Sequence, residues 1–397
     1  MSVFADSIRS WAENLSVNSV IMMIMMIFML VGAVDKILGN KYGYGEKFEE
    51  GFQAMGPLAL SMAGVVAAAP VLAKLLGPVI SPLYKAVGAD PSMFATTLLA
   101  CDMGGYPMAM ELASNEAVGN FAGLILGTMM GPTLVFTIPV ALGLIAKRDR
   151  AYLGAGILAG LITIPLGCIA GGLVMRFFTP YTLSFQTILI NLIPVIAIAV
   201  LIILGLWFAP KKMISGFGIF GTVITILITA FTAIAIFQQI TGIMFPGLEI
   251  MSLPDEKTGL TPLDEGLLIC GQIAIVLVGA FPMIKWITNK FEKALKRLGK
   301  ILGINGPASA GLVATMANNI AMFHIIGEMD PKGKLLNVAF AVSAAFVFGD
   351  HLGFTAGVNP EMITPVIIGK LVAGISALFA AYLLAPKLLH KIEVRDE

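Results

Sequence analysis

The stretch Gly131-Pro132-Thr133-Leu134-Val135-Phe136-Thr137 returns later in the chain as Gly349-Asp350-His351-Leu352-Gly353-Phe354-Thr355. Two other stretches pair in the same order: Phe48-Glu49-Glu50-Gly51 matches Leu263-Asp264-Glu265-Gly266, and Leu98-Leu99-Ala100 matches Leu312-Val313-Ala314. The paired stretches lie 214 to 218 residues apart, so their order and spacing are kept. A sequence that repeats itself once over about half its length indicates a duplicated structural unit.

The composition places this duplicated unit in a membrane. Of the 397 residues, 58% are hydrophobic and only 12% are charged, and the mean hydropathy is +0.92. A soluble domain carries about 25% charged residues. The net charge is +1, so no charge excess predicts a nucleic-acid partner. We therefore expect this chain to lie in a lipid bilayer.

Eleven apolar segments are candidates for membrane helices. About 20 apolar residues cross the hydrocarbon as a helix, and backbone groups inside lipid must pair within that helix. We therefore predict an all-α polytopic membrane protein. The candidate segments are 18–38, 52–76, 92–110, 117–146, 151–176, 186–208, 213–243, 263–285, 306–327, 334–357 and 361–386.

Two corresponding segments, 92–110 and 306–327, are predicted to be broken or re-entrant helices. Gly104-Gly105 lies in the middle of the first, and Asn318-Asn319 lies in the middle of the second. Broken helices at matching places in two halves are typical of transporter binding sites. If both segments enter the membrane and return, each repeat has four full crossings. The segment 186–208 then links the repeats, and the prediction is two inverted structural repeats.

The repeats set the predicted domain boundaries. Residues 1–176 form the first transmembrane repeat, 177–212 the linker helix between repeats, and 213–397 the second transmembrane repeat. Lysine and arginine are enriched in cytoplasmic loops. Because the last residues include Lys387 and Lys391, we predict a cytoplasmic C-terminus.

Asp102 lies in an apolar segment with no basic residue nearby in the sequence. An acid at the centre of a bilayer costs roughly 2.5–3.5 kcal/mol on insertion scales, so acids at this depth usually have a function. We predict that Asp102 binds a cationic substrate. The structural alternative is that its carboxylate caps a half-helix.

Asp350 and His351 lie in the second copy of the repeated stretch. An acid beside an imidazole could bind a cation or pass a proton. We therefore predict that Asp350 binds substrate and that His351 acts as a proton relay. The alternative is a helix cap with a locally bonded histidine.

Four neutral polar residues complete the predicted substrate site. The amides of Asn318 and Asn319 could bind a substrate hydroxyl or hold helices together. Thr133 and Thr355 are weaker candidates, because threonine hydroxyls often bond the backbone of their own helix. The three histidines of the chain form no metal-binding motif, so we predict neither a metal nor a cofactor.

Several stretches resemble the ethanolamine utilization permease (EutH) family, among them Leu98-Leu99-Ala100-Cys101-Asp102-Met103-Gly104-Gly105. The resemblance covers nearly the whole chain, through residues 48–52, 98–105, 127–133, 164–172, 314–319 and 344–354. It implies a multi-pass transporter of the bacterial inner membrane that supplies ethanolamine to a cobalamin-dependent ammonia-lyase pathway. Ethanolamine is a small cation with one hydroxyl. The acids in the helix breaks would bind its ammonium, and the asparagines and threonines its hydroxyl.

Other functions stay open at this point. Transport of another small amine or polar metabolite fits the same residues. A membrane-embedded aspartyl protease would need a G-x-G-D motif, but Val347 stands two residues before Gly349. We therefore predict a secondary transporter or facilitator for ethanolamine and not an enzyme. The sequence leaves open the coupling ion and assembly into a homo-oligomer.

Overall fold

The computed structural model describes residues 2–255 and 258–396, and its regular elements there are helices. The α-helices are α1 (Ser2–Glu13), α2 (Val17–Ile37), α3 (Tyr44–Gln53), α4 (Met55–Ala86), α5 (Ser92–Leu98), α6 (Tyr106–Leu112), α7 (Glu116–Asn120), α8 (Met130–Pro132), α9 (Ile138–Leu144), α10 (Arg150–Leu161), α11 (Ile164–Phe178), α12 (Phe185–Phe208), α13 (Pro210–Thr241), α14 (Pro262–Leu302), α15 (Gly306–Ala317), α16 (Asn319–Ile325), α17 (Pro331–Ala344), α18 (Asp350–Val358) and α19 (Ile363–Asp396). Wider π-helical turns at Cys101–Gly105, Phe121–Ile125 and Thr133–Thr137 join some of them. The predicted all-α class is confirmed.

Seven helical stretches of the described chain are long and apolar enough to cross a membrane. They are Val17–Ile37, Tyr44–Ala86, Glu116–Leu144, Phe185–Phe208, Pro210–Thr241, Pro262–Lys290 and Pro360–Glu393. Lys147–Leu161 and Ile164–Phe178 add an eighth if this pair, bent by 42°, is counted as one span. The chain is therefore a multi-pass membrane protein.

Several of the eleven predicted segments are not continuous α-helices: 117–146 contains 3-10 and π-helical turns, and 151–176 bends between α10 and α11. Three further segments are interrupted. The segments 92–110 and 306–327 are divided into short helices, as their central glycine and asparagine pairs predict. The segment 334–357 is also divided, because the chain leaves the helical path between α17 and α18. All three interruptions lie in the part of the molecule that holds the candidate site.

The two halves of the chain interlock. Helix α14 of the second half packs against α2, α3 and α4 of the first half. In the other direction, α19 packs against α11, and α17 packs against α10. The core therefore lies between elements that are distant in the sequence, whereas outward side chains such as Leu201 on α12 remain 67% exposed. An apolar outer surface of this kind is suited to contact with lipid chains.

A buried ion pair fixes one of these contacts between halves. Nζ of Lys334 on α17 donates to Oδ1 of Asp149, the residue before α10, over 2.6 Å. Asp149 is 1% exposed. A buried charge needs a partner, so this pair fixes the position of α17 against α10.

Candidate functional site

Asp102 lies in a break that the local sequence forces on the chain. Helix α5 ends at Leu98, the backbone is extended through Leu99 and Ala100, and a π-helical turn follows. Inside that turn Gly104 has a φ of +85°, a conformation that residues with a side chain rarely adopt. The break therefore presents the half-buried Asp102 away from a regular helix.

A second break separates α17 from α18 and is held by the broken segment of the same half. The N–H of Phe346 donates to the carbonyl of Thr315 over 3.1 Å, and the N–H of Phe348 donates to the carbonyl of Met316 over 3.0 Å. Phe346 has a φ of +62°, which is unusual for an aromatic residue. A residue keeps such a strained backbone conformation only where the surrounding structure enforces it, and such residues often lie at functional sites.

The glycines of the repeated stretches allow two close backbone contacts. A Cβ at Gly131 would collide with the carbonyl of Leu99, and a Cβ at Gly349 would collide with the carbonyl of Ala317. Gly131 and Gly349 lie 218 positions apart, and so do Leu99 and Ala317; this equals the offset of the stretch that begins at Gly131. The sequence repeat therefore marks two places where one broken segment touches another.

The two breaks bring Asp102 and Asp350 into one cluster. The π-helical turn that carries Asp102 packs against α18, which begins at Asp350. Sγ of Cys101, a carboxylate oxygen of Asp102 and a ring nitrogen of His351 lie within 4.8 Å of one another. Asp102 and Asp350 thus lie on contacting elements, and His351, the neighbour of Asp350 in the sequence, lies beside Asp102.

Lys370 on α19 completes this cluster, although the sequence alone assigns it no role. Its side chain is 1% exposed. Nζ donates to the carbonyl of Thr128 over 2.5 Å and lies 3.0 Å from Nδ1 of His351. An ammonium has only donors, so Nδ1 of His351 accepts this bond and the ring carries its proton on Nε2.

Asp102, Asp350, His351 and Lys370 are called the acid cluster here, and when its two acids and its lysine are all ionised, their charges do not cancel. Asp102 and Asp350 contribute two negative charges in their usual ionised forms, and Lys370 contributes one positive charge. Within the described residues neither carboxylate forms an ion pair or a side-chain hydrogen bond. The nearest cation, Lys370, attracts Asp102 but is bonded elsewhere. One further cation would make the site neutral.

The two predicted asparagines have different hydrogen-bond partners. Oδ1 of Asn318 accepts the N–H of Ile320 over 2.8 Å, so this side chain caps α16. Nδ2 of Asn319 donates to Oγ1 of Thr137 over 2.9 Å. Oδ1 of Asn319 is buried and has no partner among the described residues. Asn319 therefore offers a free acceptor for a hydroxyl group.

The predicted threonines bond to backbone carbonyls. Oγ1 of Thr355 donates to the carbonyl of His351 over 2.7 Å. Oγ1 of Thr133 donates to the carbonyls of Met129 and Val342, each over 3.0 Å. Their hydroxyl protons are thus occupied, which leaves these two side chains only as acceptors.

The cluster of Cys101, Asp102 and His351 also contains the atom types that bind zinc. In this structure Nδ1 of His351 already accepts a bond from Lys370. An ammonium at that place would repel a divalent metal ion. The arrangement is better suited to a single positive charge that is delivered by an organic cation.

Comparison with known proteins gives one family. Residues 17–384 match the family described as "Ethanolamine utilisation protein, EutH". The chain is 52% identical to the "Probable ethanolamine permease EutH" of Listeria monocytogenes over 96% of this chain and 98% of that protein. It is 50% identical to the protein of the same name from Escherichia coli, over 94% and 97% of the two chains.

A further relative, "Uncharacterized protein YxeR" of Bacillus subtilis, is 46% identical over 94% of this chain and 96% of that protein. No solved structure matches the chain. The named relatives are permeases, so the predicted choice of a transporter family over an enzyme is confirmed. By its sequence over nearly its whole length, this chain belongs to the EutH family of ethanolamine utilisation proteins.

Proposed function

We propose that this protein carries ethanolamine across the bacterial inner membrane and that the acid cluster is its substrate site. The observation that carries the proposal is that Asp102 and Asp350 lie on contacting elements from the breaks of the two halves, and within the described residues neither forms an ion pair. An ammonium group can donate to both carboxylates. The names of the two permease relatives support ethanolamine as the source of that ammonium.

The proposed binding mode uses both ends of the substrate. The ammonium lies between Asp102 and Asp350, and each charge-assisted hydrogen bond contributes about 1.5–3 kcal/mol. The hydroxyl donates to Oδ1 of Asn319, which lacks a partner among the described residues. An amine without a hydroxyl would leave this buried acceptor unpaired, so the site should bind such an amine more weakly than ethanolamine.

Lys370 is proposed to hold the empty site together. Its ammonium attracts Asp102 while it is bonded to Thr128 and His351. When ethanolamine binds, its ammonium compensates the negative charge of the carboxylates in place of Lys370. The contact of Nδ1 of His351 with Lys370 and the position of a His351 ring nitrogen within 4.8 Å of a carboxylate oxygen of Asp102 support the proposal that His351 is a proton relay.

The first test is uptake of labelled ethanolamine into proteoliposomes, with and without imposed proton and sodium gradients. Saturable uptake is expected, and a gradient that accelerates it identifies the coupling ion. Ethylamine, which lacks the hydroxyl, should compete weakly. Equal competition by many small amines would favour the alternative of a general amine transporter, and uptake no faster than in empty liposomes would reject the proposal.

The second test separates the site from the fold. The variant Asp102→Asn should lose saturable uptake while it remains in the membrane in normal amounts. Asp6→Asn removes an acid from the exposed helix α1 and is the matched control. Full uptake by Asp102→Asn would show that the acid cluster is not the substrate site.

A further inference from the structure

A separate cavity of about 1250 Å³ opens between α10, α19, the end of α12 and the start of α13. It shares no lining residue with the acid cluster. The lining contains six basic residues and, among the described residues, no carboxylate. The basic residues are Lys147, Arg148, Arg150, Lys211, Lys212 and Lys391.

Among the described residues that line this basic cavity, no carboxylate offsets the positive charge. Asp149 lies next to Arg150 in the sequence, but its Oδ1 bonds to Lys334. Arg150 donates through Nη2 to the carbonyl of Leu142 over 3.1 Å, and its Nε is buried without a partner among the described residues. Lys391 donates to the carbonyl of Trp207, and its Nζ lies 3.4 Å from the ring centroid. The carbonyl of Leu142 is a neutral partner, so it leaves the positive charge of Arg150 in place.

The start of α13 adds to this positive potential. Pro210 is the first residue of α13, and no side chain caps the helix. The N–H groups of the first turn of a helix have no partner inside the helix, and the helix dipole places positive charge there. Lys211 and Lys212 belong to this first turn and line the cavity. Helix starts of this kind bind phosphate groups.

The other walls of the cavity are apolar and reach the outer surface. Leu206, Trp207 and Phe208 end the membrane helix α12, and Ile219 and Val223 face the cavity from α13. Phe208 is 74% exposed. Tryptophan is enriched at the boundary between lipid and water. The cavity thus joins a basic rim to apolar walls at the level where membrane helices end.

We propose that this cavity binds an anionic phospholipid, with the phosphate at the basic rim and the acyl chains along the apolar walls. Basic pockets between membrane helices are suited to anionic headgroups. A soluble phosphate compound would need the rim but not the apolar walls. The lipid would connect α10, α12, α13 and α19, and α10 and α19 also pack against each other.

The test measures lipid binding to purified, delipidated protein by native mass spectrometry. Phosphatidylglycerol is compared with phosphatidylcholine of the same acyl chains, and inorganic phosphate is added as a competitor. The variant Lys211→Gln/Lys212→Gln alters the rim. The control Lys290→Gln/Lys293→Gln removes two exposed lysines from α14, outside the cavity.

The wild type should prefer phosphatidylglycerol, and the rim variant should bind it roughly 30-fold more weakly, at about 1 kcal/mol for each basic residue. The control should keep the wild-type preference. Equal binding of both lipids, equal loss in both variants, or full displacement by millimolar inorganic phosphate would overturn the proposal. Because binding is measured without ethanolamine, failure here leaves the proposed substrate site untouched.

Discussion

Replacement of Lys370 by methionine removes the positive charge that lies beside the proposed ammonium site. Nζ is 3.0 Å from Nδ1 of His351, and an oxygen of Asp102 lies within 4.8 Å of a ring nitrogen of His351. A substrate ammonium bound at Asp102 would thus lie roughly 6–10 Å from Nζ, where two like charges repel by about 1.7–2.8 kcal/mol at an effective dielectric constant of 20. Lys370→Met should therefore bind ethanolamine about 20- to 100-fold more tightly.

The assay is equilibrium binding of labelled ethanolamine to purified protein in detergent. Lys370→Arg keeps the charge and is the control, so it should not gain affinity. Thermal unfolding of both variants checks the fold, because methionine leaves Nδ1 of His351 and the carbonyl of Thr128 without their donor. An unpaired buried polar group costs about 1–3 kcal/mol.

Turnover should change in the opposite direction. A tighter complex releases its ligand more slowly, so Lys370→Met should show slower maximal uptake despite its higher affinity. If a folded Lys370→Met bound ethanolamine no more tightly than the wild type, then Lys370 would not compete with the substrate. In that case the proposed charge balance of the acid cluster would be wrong.

Three other variants test separate parts of the structure. Gly104→Ala should lower thermal stability by about 1–3 kcal/mol and reduce uptake, because φ is +85° and the new Cβ would collide with Val65; an unchanged melting temperature would contradict this. Asn319→Ala should raise the KM for ethanolamine about 2- to 10-fold in uptake assays and leave competition by ethylamine unchanged. Lys334→Met should cost about 3–5 kcal/mol in thermal unfolding, since it leaves Asp149 buried and unpaired, and the added change Asp149→Asn should restore most of that loss.

The two acids could be found from the sequence because a charge inside an apolar segment is costly. The same argument would have identified Lys370, which is the single charged residue between 362 and 386. The sequence alone does not place this lysine, because a lysine in a membrane helix can extend its side chain to the surface. Only the packing of α19 shows that this lysine points into the core, at 1% exposure.

The breaks themselves were predicted better than their contacts. Gly104-Gly105 correctly marked an interruption, although the chain leaves the helix earlier, at Leu99. The interruption before Asp350 depends on backbone bonds from Phe346 and Phe348 to a different segment. Backbone contacts between distant segments leave little trace in side-chain chemistry, so a single sequence does not reveal them. The contribution of the Thr128 carbonyl to the site was hidden for the same reason.

The charge of the site also predicts which step of transport responds to voltage. With two carboxylates and one ammonium the empty site carries one negative charge, and bound ethanolammonium makes it neutral. In an alternating-access cycle, the return of the empty site would then move charge across the membrane, whereas the loaded step would not. One charge that crosses 100 mV changes a free energy by about 2.3 kcal/mol.

Net uptake of ethanolamine into proteoliposomes should therefore accelerate when a potassium diffusion potential makes the interior negative. Exchange of labelled for unlabelled ethanolamine uses only the loaded step, so it should respond little to the same potential. The control is Asp350→Asn, whose empty site is formally neutral and whose loaded site carries one positive charge, so its exchange should become voltage-dependent. Wild-type exchange that accelerated as much as net uptake would mean that the loaded site carries charge, and Lys370 would then retain its proton beside only one ionised carboxylate.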